Sequence, residues 1–125
     1  MTEQAKIKFI WDNISYENPL LVQTYFEKHM RAFIEFLISK TLEENKLEIG
    51  TYEEGWQKGQ AVRFFDEGNH KKLELRSIKN NSFEIVLSIK RAEEKEQVLK
   101  HKLTTEEIKL IPQHIAELMS NVKEV

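Results

Sequence analysis

Four short segments between residues 60 and 103 restrict what this chain can fold into more than anything else in it: QAVRFFD (60–66), KKLELRS (71–77), SFEIVLSIK (82–90) and EQVLKHKL (96–103). Their apolar residues recur with the period of two that marks a half-buried strand. The joints between them, DEGNH, KNNS and RAEEK, are built from turn formers. Three hairpin joints in series predict an antiparallel meander. In the third segment Phe83, Ile85, Leu87 and Ile89 fall on one side and Glu84, Ser88 and Lys90 on the other, with Val86 the exception. One face of such a sheet is core and the other is wet. IGTY at 49–52 predicts one further strand.

The flanks carry other periods. KIKFIW alternates and predicts a strand over 5–11. Asn18 before Pro19 is a helix-start signal. From Leu20 to about Asn45 there is neither Gly nor Pro, and Val22, Phe26, Met30, Phe33 and Leu37 recur at helical spacing. The pattern predicts one long helix. Its apolar arc, widened by Tyr25, Ile34, Phe36 and Ile38, exceeds what one sheet contact hides. Either the fold wraps it or a second chain covers it, as a homodimer formed through residues 19–45 would. At the other end Thr104 and Glu107 stand at capping-box spacing, and Pro112 interrupts the pattern that follows. The expectation is a kink, or a short helix and then a second one from about Pro112. At 125 residues, 1–125 reads as a single α+β domain, its long N-terminal helix and its C-terminal helix packed on a bent antiparallel sheet or small β-barrel.

Composition removes several kinds of chemistry. There is no Cys, so no disulfide, thiolate metal site or Cys nucleophile. His29, His70, His101 and His114 are scattered without metal-ligand spacing, so no metal and no cofactor is expected. No run is apolar for long enough to span a bilayer, and no signal-peptide pattern opens the chain, so the expected location is cytoplasmic, with no membrane partner. Neither a hydrolase elbow nor a kinase or deaminase signature is present, and no one carboxylate pair stands out, so the expectation is a protein that is not an enzyme.

All four glycines lie in residues 50–68, GTYEEGWQKGQAVRFFDEG. Gly50 and Gly55 have phosphate-loop spacing, but Trp56 and Gln57 stand where Lys and Ser or Thr are needed. Two readings remain. The window is a loop offering Tyr52, Trp56 and Lys58 to a ligand, or Trp56 closes one end of the sheet over the long helix.

The net charge of −2 hides a segregation. Residues 1–55 carry 6 Lys/Arg against 10 Asp/Glu, residues 56–102 carry 11 against 7, and residues 103–125 carry 2 against 4. The strands are basic between acidic flanks. Lys71, Lys72, Arg76, Lys79, Lys90, Arg91, Lys100 and Lys102 come from adjacent hairpins, so they are candidates to contact phosphates, with Trp56 and Tyr52 as stacking residues for unpaired bases. The interleaved Glu74, Glu84, Glu93, Glu94 and Glu96 make the expected binding modest and salt-dependent.

The order of KIKFIW, a helix, the strands QAVRFF, KKLELRS, FEIVLSIK and QVLKHKL, and a closing helix resembles the PUA-like barrel of RNA-binding proteins, in particular the small PrgU-type regulators of Gram-positive conjugative plasmids. The resemblance spans about residues 5–120 and implies non-catalytic control of plasmid-encoded surface proteins. The leading expectation is therefore a small regulatory protein that binds RNA or single-stranded nucleic acid through its basic strand face. Two alternatives stand beside it. One is a protein-binding inhibitor or immunity-like adaptor acting through the long apolar helix. The other is a small-molecule pocket lined by Phe33, Phe64 and Phe83.

Overall fold

The hairpin joints produce the expected meander. In the computed structural model, which describes residues 3–13, 19–41, 47–66, 68, 70–78, 82–90 and 95–121, the strands are β1 (Leu47–Glu54), β2 (Gln57–Asp66), β3 (Lys71–Ile78), β4 (Ser82–Lys90) and β5 (Glu96–Lys102). They pair in the order β1-β2-β3-β4-β5, each antiparallel to the next. Helices α1 (Glu3–Asn13), α2 (Pro19–Lys28) and α3 (Met30–Thr41) precede the sheet, and α4 (Thr105–Ile108) and α5 (Gln113–Asn121) follow it. The sheet is open. Its edges are β1 and β5, and no barrel closes.

Register sorts the strand residues onto two faces. Phe64, Leu73, Leu87 and Leu99 form one cross-strand row, and Val62, Leu75 and Ile85 lie in the next. These side chains meet Val22, Phe26, Phe33, Ile34, Phe36 and Leu37 of the helices in one apolar core, which Ile115 and Met119 of α5 complete. Burying such side chains contributes about 1.5–3 kcal/mol each, so this face supplies most of the drive to fold.

Two predicted elements differ. The segment expected to be a strand at 5–11 lies inside α1. Its alternation does not match what is buried, because the core takes the adjacent pair Ile10 and Trp11 while Phe9 stays exposed. Helix geometry lets Lys8 bond Asp12 one turn on, at 2.8 Å, and sets Trp11 flat on Phe36 with ring centroids 4.8 Å apart. The indole N–H of Trp11 donates to Asp66 Oδ2 at 2.8 Å.

The single long helix is instead α2 and α3, broken at His29. Two backbone bonds span the break: His29 N–H donates to Tyr25 O at 2.9 Å and Phe33 N–H to His29 O at 3.2 Å. Side chains pack across the break. Phe26 and Phe33 meet edge-on across it at 5.4 Å, and α2 follows the sheet to β5, where Gln97 donates to Pro19 O at 3.0 Å. The wide apolar stripe is consumed within the chain, for Phe36 is only 5% exposed beneath Trp11. The crevice beside it, lined by Ile10, Trp11, Ala32, Phe33 and Phe36, has no room for water, and Phe33 and Phe64 are core residues.

The C-terminal reading holds. Thr104 and Glu107 form a capping box at the start of α4, and α5 begins after Pro112, whose carbonyl accepts from Ile115 and Ala116. No described helix is long and apolar enough to cross a membrane.

Candidate nucleic-acid interface

The face of the sheet turned away from the helices carries the charge. Strand alternation puts Leu73 and Leu75 into the core and so turns Lys72, Glu74 and Arg76 outward. Register then builds three rows across this face: Phe65, Lys72, Ser88 and Val98; Arg63, Glu74, Val86 and Lys100; Ala61, Arg76, Glu84 and Lys102.

This face is concave. Glu54, at the end of β1, bonds both Arg76 Nη1 on β3 at 2.6 Å and Lys100 Nζ on β5 at 2.5 Å. Flat strands about 4.8 Å apart would set β1 and β5 about 19 Å from each other, so the sheet is curled around these side chains. Curling also explains why Glu74, on the face without helices, is 1% exposed.

Glu74 is the centre of the network. Arg63 Nε donates to it at 2.6 Å and Arg76 Nη2 at 2.9 Å, with Lys72 Nζ 3.4 Å away. Burial pushes its carboxyl up, but the two guanidinium bonds outweigh that and hold it below the usual carboxylate range. Glu54 is likewise held low, first by the Lys100 bond and then by Arg76. Burial opposes the charge of Arg76, yet its bonds to Glu54 and Glu74 raise its pKa. Buried Arg76 Nε and Glu84 Oε1 have no hydrogen-bond partner among the described residues.

The predicted contact residues fall into distinct places. Lys72, Arg76, Lys100 and Lys102 share the concave face; the first three are ion-paired there, while Lys102 is exposed beside Glu84. Lys90 is exposed at the end of β4, opposite Glu96. Lys71 does not join them. It points into the helix side, 5% exposed, donates to Trp11 O at 2.5 Å and lies 5.1 Å from the Trp11 ring centroid. Burial lowers its pKa. His101 also faces the helices and meets Glu107 of the capping box at 2.7 Å. Lys79 and Arg91 lie outside the described residues.

The two aromatic candidates separate as well. Tyr52 is buried: its hydroxyl donates to Ser77 O at 2.6 Å and the Arg76 guanidinium covers its ring at 4.8 Å. No base can stack there. Trp56 is fully exposed. It sits in the two-residue turn between the paired Glu54 and Gln57, where Gly55 takes φ +60°. Glycine at the first central position is the type II′ hairpin, and it aims the indole away from the core.

Arg63, Glu54, Glu74 and Glu84 are structural members of the face that the sequence reading did not place among the contacts. For Arg63 a signal existed: the DEGNH joint pairs Asp66 with Lys71, which sets Arg63 opposite Glu74. Among the described residues no group of three His, Asp or Glu is placed to hold a metal ion. No protein-family model, curated protein or solved structure matches this chain.

Proposed function

We propose that the protein is a non-enzymatic binding module that takes a short single strand of RNA, or of other single-stranded nucleic acid, along the concave sheet face. The observation that carries this reading is Trp56, a tryptophan held wholly in water in the β1–β2 turn, two residues after the Glu54 that bonds Arg76 and Lys100 on the concave face. A bare indole is a costly surface feature, and next to cations it suits base stacking combined with phosphate contact. Phe65, also exposed, stands at the far end of the groove, nine residues back along β2 and so about 30 Å away by strand rise.

The face is not strongly basic. Arg63, Lys72, Arg76, Lys100 and Lys102 share it with Glu54, Glu74 and Glu84, which argues for modest, selective binding in place of tight duplex binding. Control of surface-protein expression from a plasmid, in the cytoplasm, is the role that the resemblance to PUA-like regulators supplies. Binding here runs over an open sheet, and α1 stands where that resemblance has its first strand.

A second reading, a protein-binding adaptor, draws on Leu20, 76% exposed at the start of α2. Binding of labelled single-stranded RNA and DNA pools at low and near-physiological salt tests the first reading, with Lys100→Ala/Lys102→Ala alongside. Binding that falls with salt and is weakened in the variant is expected. No binding by the wild type at low salt rejects it and directs the search to partners of α2.

A further inference from the structure

We propose that Arg76 and Lys100 form a phosphate clamp which Glu54 fills as an internal stand-in, so that a bound strand must displace that carboxylate. This inference rests on the nucleic-acid reading and specifies how its central contact is made and restrained.

The geometry points to a site and not only to a strut. Two cations two strands apart converge on one carboxylate, Arg76 Nη1 at 2.6 Å and Lys100 Nζ at 2.5 Å. A guanidinium fork beside an ammonium suits a phosphate as well as a carboxylate. The pair opens to water, since Glu54 is 50% and Lys100 37% exposed.

Among the described residues, the bonds to Arg76 and Lys100 are what hold the occupant's side chain. Glu54 adjoins Gly55, where an added Cβ would meet no atom within 4 Å, and then the fully exposed Trp56. Its side chain can turn out of the clamp without disturbing the core. When it leaves, Arg76 stays aimed, because its Nη2 remains bonded to the buried Glu74 at 2.9 Å. Trp56 is two residues along the chain and fully exposed, which makes it the candidate stack for the base attached to the incoming phosphate.

Displacing Glu54 costs its ion pairs to Arg76 and Lys100, a penalty that ligand binding must overcome. Removing the charge should relieve it. In a titration of a short labelled oligouridylate at low salt, Glu54→Gln is expected to bind about tenfold tighter than the wild type. The double variant Glu54→Gln/Lys100→Ala is expected to lose that gain. Thermal melts confirm that each variant is folded, which the half-exposed positions of Glu54 and Lys100 favour. Equal affinity of Glu54→Gln and a wild type that binds overturns the clamp and leaves the nucleic-acid reading standing. A gain that survives Lys100→Ala also overturns it. If neither protein binds, the nucleic-acid reading itself fails and this inference with it.

Discussion

Lys71 Nζ donates to the main-chain carbonyl of Trp11 at 2.5 Å, joining the first residue of β3 to α1 across 60 residues of sequence. A lysine from the KK pair of a basic strand thus serves as a buried strut. Lys71→Ala leaves that carbonyl without its partner, and an unsatisfied buried group of this kind costs about 1–3 kcal/mol. Urea unfolding should show a loss in this range, while nucleic-acid affinity stays at the wild-type value. Lys100→Ala should do the reverse.

Glu74 carries the opposite charge at the heart of the concave face. Glu74→Gln removes the buried carboxylate charge that Arg63, Lys72 and Arg76 share. Breaking a buried pair from one side costs about 3–5 kcal/mol, so a drop near 3 kcal/mol in unfolding free energy is expected. A loss below 1 kcal/mol would mean that the arginines find water in its place.

Acid should act on the same network. Glu54, Glu74 and Glu107 have folded pKa values below the 4.5 of a free carboxyl. Each therefore contributes stability that is fully present above about pH 4.5 and is lost as pH falls through the lower folded value. Unfolding midpoints should be level from neutral pH to about 5 and drop below 4.5. The drop should be shallower in Glu74→Gln, measured by urea titration at each pH.

Gly59 is constrained by contact and not by backbone angle. A Cβ there would lie 2.7 Å from Ser77 O and 3.3 Å from the Tyr52 ring. Gly59→Ala should destabilise by about 1–3 kcal/mol through overpacking, read as a lower melting temperature.

Trp56→Ala should leave stability within about 0.5 kcal/mol, because the indole touches no core. If a base stacks on it, affinity for single strands should fall by the equivalent of about 1–3 kcal/mol. Unchanged affinity in a binding-competent protein would remove Trp56 from the interface.

The strands were legible because turn chemistry and period-two alternation are local. The meander, its core face and the break before α5 follow from residues read in place. The rest depends on distant partners. KIKFIW has the alternation of a strand, yet α1 is a helix because Phe36, Phe64 and Asp66 supply a seat for Trp11. Nothing at His29 announces the break between α2 and α3, while α2 is tied to β5 by the distant Gln97. For the doublet Lys71 and Lys72, alternation says that one points inward but not which one. The clustering of Lys72, Arg76, Lys100 and Lys102 was foreseeable from the hairpins. Their pairing with Glu54 was not, because the curl that brings β1 to β5 belongs to no segment of sequence.

The two tryptophans occupy opposite environments, Trp11 sealed in the core and Trp56 wholly in water. The molecule therefore contains two optical probes that need no label. Blue-shifted emission from Trp11 reports whether the chain is folded. Red emission from Trp56 is open to external quenchers such as iodide, and an occupied groove would shield it. Iodide quenching before and after adding a ligand would thus read occupancy and integrity in one cuvette, with Trp56→Phe to assign each signal.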